Sequence, residues 1–229
     1  MKIYFVRHGD PNYRHDCLTD LGHKQAQAAA KRLKESGIER IYSSTCGRAF
    51  QTAEYTAKEL GLEVIPCEFM TELGWTSIDG EPIIDNGNPW TITDRFVSEG
   101  KSLADKDWFE KEPFCRSIVV RRGKSAIEHF DELLASLGYQ REGYYYRVTG
   151  EDVCKSIAMF SHGGSSSAIL AHMLNIPFPQ VCSIFRMRCA SIIIIEISNK
   201  PGELVPPRVL LFNDTKHTEG LETENIFGN

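Results

Sequence analysis

Lys2-Ile3-Tyr4-Phe5-Val6-Arg7-His8-Gly9 is the stretch from which the rest of the chain can be read. Lys2 to Val6 is an almost unbroken apolar run, the pattern of a strand covered on both faces. It stops at a histidine followed by glycine, a residue that permits a sharp turn and close approach of a ligand to the backbone. The arrangement returns much later, where the strand-like run Ser156 to Phe160 ends in Ser161-His162-Gly163-Gly164. Ligands of open α/β sheets bind beyond the carboxyl ends of the strands. Two strands ending alike would therefore bring His8 and His162 over one site.

On either side of these strands, apolar β-rich runs alternate with helical periodicity, the signature of an α/β domain. A helix is expected from about Asp20 to Ser36. Thr19 serves as its N-cap, Gly37 as its stop, and Ala26, Ala29, Ala30 and Leu33 as its core-facing stripe. Arg40 to Ser43 reads as a strand, Gly47 to Leu60 as a helix ending at Gly61, and Leu62 to Ile65 as a further strand. Later come helices over Ile118 to Leu137 and Ser165 to Leu174, an aromatic extended arm from Gly143 to Thr149, and strands over Ala190 to Ile197 and Arg208 to Phe212. From His217 onward the tail is polar and expected to fray. The expected fold is a three-layer α/β/α sandwich around a mostly parallel sheet, one domain spanning residues 1–229. About 74–117 breaks the pattern, with Trp75, Trp90 and Trp108 set among turn residues. This region is expected to be an inserted, partly helical lid.

Composition narrows the function. Hydrophobic residues make up 41% and charged residues 25% of 229, as in ordinary globular proteins. The net charge of -5 gives no basic balance for nucleic acid. No run approaches the ~20 apolar residues of a membrane span, and the first residues lack a signal-peptide pattern. Seven cysteines without a C-x-x-C pair argue against zinc ribbons and disulfide scaffolds, so a cytoplasmic location is expected.

An acidic chain that binds an anion must do so with a local cluster of cations. Arg7 adjoins His8, and Arg48 opens a helix in Ser43-Ser44-Thr45-Cys46-Gly47-Arg48. Helix N-termini attract anions, and the arginine fork matches phosphate oxygens. Taken singly, such a histidine is more often a satisfied polar residue than a catalyst, and such an arginine is usually a surface ion pair. The repeated strand-His-Gly ending, together with Arg48, is what points to a phosphate pocket. His23, His129 and His172 fall on helices as structural residues, and Arg121, Arg122 and Lys124 read as a solvated face.

In order along the chain, these segments resemble the histidine phosphatase superfamily, which includes the phosphoglycerate mutases. The resemblance lies in Arg7-His8-Gly9, in Leu18-Thr19, Gly22 and Gln25-Ala26, and in Tyr42-Ser43-Ser44, Arg48-Ala49 and Gln51-Thr52-Ala53. It continues through Glu72-Leu73, Ser161-His162-Gly163-Gly164, and Asn213-Asp214-Thr215 with His217. It covers roughly residues 1–73 and 153–217. It implies a phosphoglycerate mutase-like fold and a two-step reaction. His8 attacks phosphorus and becomes a phosphohistidine, Glu72 protonates the leaving oxygen, and water then releases phosphate with Glu72 as base. Arg7, Arg48, His162, Gly9, Asn12 and Gly163 would hold the phosphate, with no metal and no cofactor. Asp10 is the second choice as donor, and Arg14 competes with Asn12 for the place where relatives carry an asparagine. Leu73-Gly74-Trp75-Thr76 and the insert do not look mutase-like. The expected activity is therefore that of a histidine acid-type phosphatase, hydrolysing a phosphomonoester of a small metabolite, with neither nucleic acid nor membrane as partner. Three alternatives stay open: a mutase acting on a sugar acid, a phosphatase of phosphorylated protein (phosphohistidine included), and a non-catalytic binder of phosphorylated ligands.

Overall fold

Alternate residues of β1 (Lys2–Arg7) point to opposite faces, as strand geometry requires. Ile3 and Phe5 join one buried cluster, Tyr4 and Val6 another. Both faces must therefore be covered, and helices cover both. The computed structural model describes residues 1–150 and 154–221.

In chain order, β1 is followed by β2 (Pro11–Asn12), β3 (Cys17–Leu18), α1 (Asp20–Leu33), β4 (Arg40–Ser44), α2 (Gly47–Leu60) and β5 (Val64–Cys67). Next come α3 (Pro89–Ser98), α4 (Ile118–Ser136), β6 (Tyr139–Glu142), β7 (Tyr145–Val148), β8 (Ser156–Ser161), α5 (Gly163–Leu174) and α6 (Phe178–Ile184). The chain continues through β9 (Ile192–Glu196), β10 (Leu204–Val205) and β11 (Arg208–Asp214).

The main sheet has the order β11-β9-β1-β8-β4-β5. β1, β8, β4 and β5 pair in parallel, while β9 opposes both β1 and β11. Leu33 of α1 and Ala53 and Ala57 of α2 pack on the Tyr4–Val6 face. Phe130 and Leu134 of α4 and Ile169 of α5 pack on the Ile3–Phe5 face. This is the expected three-layer α/β fold. Each fully buried large apolar side chain contributes about 1.5–3 kcal/mol relative to exposure. One register matters most: Arg7 lies opposite Ser161 in the β1–β8 pair, so His8 and His162 emerge side by side at the carboxyl end of the sheet.

Local signals set the element ends. The Thr19 side chain accepts a hydrogen bond from Gly22 N, capping α1. Gly61, at φ 68°, ends α2 in the left-handed conformation. α1 stops at Leu33, short of the expected Ser36, and α6 has no counterpart in the sequence reading. The aromatic arm forms β7 in a separate three-stranded sheet, between β6 and β10. The tail expected to fray from His217 instead forms a helical turn over Lys216–Thr218, with Thr218 buried. Residues 222–229 lie outside the described residues.

The insert is partly helical, as expected, through α3 and several short turns. Ile78 N donates to Arg116 O at 2.9 Å, tying its two ends together. Ile92 and Phe114 are buried, and Trp108 meets the rings of Phe114 and Phe178, each at 5.3 Å. These anchors hold the insert over the carboxyl end of the sheet.

Candidate active site

The imidazoles of His8 and His162 lie 5.2 Å apart, centroid to centroid, and both are buried. His8 Nδ1 is 2.7 Å from Gly9 O. A carbonyl only accepts, so Nδ1 carries the hydrogen and Nε2 keeps the lone pair of a neutral ring. Burial, reinforced by the Arg7 guanidinium, holds the His8 pKa well below the ordinary histidine value. Burial and the neighbouring His8 do the same to His162. His162 Nε2 lies 2.8 Å from Ser44 Oγ, which also accepts from Cys46 N at 3.2 Å. The Ser44 hydroxyl hydrogen can then point to Nε2, placing the ring hydrogen on Nδ1. That atom is buried and has no hydrogen-bond partner.

Two guanidinium groups flank the rings. Arg7, at the end of β1, donates from Nη1 to Met187 O at 2.6 Å. Arg48, in the first turn of α2, is 8% exposed, and its buried Nε has no partner. Its Nη1 pairs with Asp16, whose other oxygen accepts from Gly47 N at 2.7 Å. The ring of Tyr13 lies 5.3 Å from the Arg48 guanidinium carbon. The loop carrying Tyr13 and Asp16 comes this close because Gly47 has no side chain: a Cβ there would fall 2.1 Å from Asp16 O.

Glu72 approaches from the loop after β5. Its Oε1 accepts from Leu73 N and Ser165 N at 3.0 and 3.2 Å, and its Oε2 from Gly164 N at 3.4 Å. The carboxyl thus sits at the N-terminus of α5, yet burial outweighs these bonds and raises its pKa. Arg122 donates to the carbonyls of Leu73 and Glu72 at 3.0 and 3.5 Å. It braces this loop and is not the purely solvated residue expected.

A cavity of about 380 Å³ opens here, lined on this side by Arg7, Arg48, Glu72 and Gly163. His8 and His162 are buried behind this lining, adjoining Arg7 and Gly163, and Asn12 and Gly9 are not part of it. Asn12 lies in β2, and its Oδ1 accepts from His15 N at 3.3 Å, closing its own turn. Gly9 N donates to Thr52 Oγ1 at 3.1 Å, and a Cβ at Gly9 would fall 2.6 Å from Gly22 O, so its smallness serves packing. Asp10 accepts from the Thr19 hydroxyl at 2.6 Å. Arg14 is exposed on the β2–β3 loop. Sequence reading missed Asp16, Ser44 and Tyr13, and placed Trp75 and Trp90 in the insert without assigning them to the site. Only the Ser43-Ser44 pair, inside a quoted segment, carried a signal.

Late segments back the first strand. Arg7 N donates to Ser191 O and Ala190 N to His8 O, while the His217 ring donates to Ala190 O at 2.9 Å. Gln25 joins Asp10 N to Leu221 O through bonds of 2.7 Å each.

Comparison with known proteins extends this picture. The model of the histidine phosphatase superfamily (branch 1) matches residues 3–208. The chain is 26% identical over 216 residues to a probable phosphoglycerate mutase GpmB of Proteus mirabilis, covering 88% of this chain and 87% of the relative. It is 32% identical over 92 residues to a protein of the same name from Yersinia pestis, covering 36% and 43%. Among solved structures, a mycobacterial glucosyl-3-phosphoglycerate phosphatase complexed with VO3 superposes with TM-score 0.62 at 20% identity, over 93% of this chain and 99% of that one. A phosphoserine phosphatase of Entamoeba histolytica with 3-phosphoglyceric acid gives 0.60 at 20%, over 94% and 98%. At such identities the likeness is one of fold. The family match runs from β1 to the first residue of β11, taking in both histidine-bearing strands, and the chain belongs to the histidine phosphatase superfamily.

Proposed function

We propose that this protein is a phosphomonoester hydrolase that works through a phosphohistidine on His8 and needs no metal ion. The observation that carries the reading is the pairing of His8 and His162 at the ends of adjacent parallel strands, with the His8 Nε2 lone pair available. In the first step Nε2 forms a bond to phosphorus, the ester P–O bond breaks, and Glu72 gives its proton to the departing oxygen. Water then attacks the phosphohistidine, Glu72 takes a proton, the P–N bond breaks and inorganic phosphate leaves. The guanidiniums of Arg7 and Arg48 and the Nδ1–H of His162 stabilise the equatorial oxygens throughout. A cavity of about 380 Å³ suits a small phosphorylated metabolite.

Hydrolysis of p-nitrophenyl phosphate in EDTA tests the reading. Wild-type protein should turn it over, and His8→Ala should lose at least about a thousandfold in kcat. Rapid quenching should trap an acid-labile phosphoryl group on the wild type alone. Unchanged turnover in His8→Ala ends this assignment. The names of the curated relatives favour a second reading, a mutase. It would be recognised by conversion of 3-phosphoglycerate to 2-phosphoglycerate outpacing phosphate release.

A further inference from the structure

The cavity has two halves of different electrical character. Its floor holds the guanidiniums of Arg7 and Arg48, the latter already paired with Asp16. Farther out, the charged lining residues are Asp94 of α3 and Arg186 just beyond α6. These two are joined: Arg186 Nη2 donates to both carboxylate oxygens of Asp94, at 2.5 and 2.6 Å. Their charges cancel across the mouth of the cavity.

Between floor and mouth stands an aromatic wall. Trp75 and Trp90 meet edge to face with ring centroids 5.1 Å apart. Both indoles rest on the start of α5. A Cβ added at Gly163 would lie 3.3 Å from Trp90, and one added at Gly164 would lie 3.0 Å from Trp75. The same Gly163 position is 3.9 Å from the Arg7 guanidinium carbon, so the wall begins where the phosphate floor ends. Asn88, beside it, uses Oδ1 to cap α3 through Trp90 N and Thr91 N, which leaves its amide NH2 as a neutral donor toward the cavity.

On the footing of the phosphomonoesterase reading, we propose that the alcohol part of the substrate is an uncharged ring laid against Trp75 and Trp90, and that the Asp94–Arg186 pair selects against alcohols bearing a carboxylate. An uncharged ring buries apolar area on the indoles and leaves the pair intact. A carboxylate would have to share Arg186 with Asp94, setting two like charges on one guanidinium while the phosphate takes up the floor cations. An aryl ring stacks on an indole through its π face and a sugar through the C–H groups of its flatter face, and the experiment separates the two.

Calorimetry with the His8→Ala protein compares 1-naphthyl phosphate, glucose 6-phosphate and 3-phosphoglycerate without the complication of turnover. The tighter of the two ring esters should bind about tenfold more strongly than 3-phosphoglycerate, and which one it is identifies the ring. In the same protein, Asp94→Ala and Asp94→Asn should each narrow that margin several-fold. Binding of 3-phosphoglycerate as tight as that of both ring esters overturns the proposal, as does a margin unmoved in both Asp94 variants. Turnover by the wild type is read separately. If no ester is hydrolysed, the hydrolase reading falls and the binding order still judges the subsite.

Discussion

The floor of the cavity and its outer wall are built in opposite ways. The floor stands on strand register: Arg7 sits at the end of β1 with the buried His8 and His162 behind it at the ends of β1 and β8, and Arg48 lies in the first turn of the helix after β4. Their positions follow from the packing of the sheet itself. The wall rests on an excursion of the chain anchored by a few buried groups, among them Ile92 and Phe114, and closed by the Asp94–Arg186 pair. The difference separates two kinds of sensitivity. Changes in the floor should depress hydrolysis of every ester, whereas changes in the wall should reorder esters.

The sharpest way to break this division is Glu72→Gln. The amide keeps the shape but cannot give up a proton, so an alkyl phosphate, with its poor leaving group, should lose about 10²–10⁴-fold in kcat. p-Nitrophenyl phosphate, whose leaving group needs little protonation, should lose much less in its first step. Equal losses for both esters in burst-phase kinetics would remove Glu72 from the role of acid. A smaller effect is expected from Gly164→Ala, where floor and wall touch. The new Cβ would fall 2.4 Å from Glu72 Oε1 and 3.0 Å from Trp75, so the carboxyl must move. Displacement on that scale costs up to about a hundredfold in rate. Alanine's better helix propensity, about 0.5–1 kcal/mol, works against any fall in thermal stability. An alanine variant with full kcat on an alkyl ester would show that the placement of Glu72 is not critical.

The mildest expected effect is on pH dependence. kcat/KM reports groups of the free enzyme. His8 must be neutral to attack, and its pKa is lowered by burial and Arg7, so the acid limb should lie below the ordinary value of 6.5. Glu72 must be protonated to act as acid, and burial raises its pKa, so activity should fall with rising pH only above 4.5. An acid limb at or above 6.5, after allowing for the ester's own second ionisation near about 6, would contradict the buried, neutral His8.

What could be read from sequence was what local chemistry determines. Thr19 and Gly61 mark their helix ends because a cap and a left-handed residue act within one turn. His8 and His162 could be paired because two alike strand ends converge in a parallel sheet. Glu72 could be placed only through family resemblance, since its raised pKa arises from burial beneath a distant helix. Asn12 Oδ1 closes its own loop, where the two-residue pairing of β2 with β3 sets it, a local use that family resemblance does not reveal. Asp16 was invisible for a related reason: its link to Arg48 depends on a tight loop in which Asp16 itself takes φ 47°. The wall of Trp75 and Trp90 has no periodic signature, because an excursion held by aromatic contacts need not repeat.

The bonds from Ser191 and Ala190 to Arg7 and His8, with His217 holding Ala190 in turn, have a further consequence for biogenesis. His8, the proposed nucleophile, is synthesised long before Ala190 and Ser191, whose amide and carbonyl brace it and Arg7. Loop closure over such a span is entropically slow. On the hydrolase reading, chains cut short of Ala190 should therefore be inert although they carry the entire Arg7-His8-Gly9 motif.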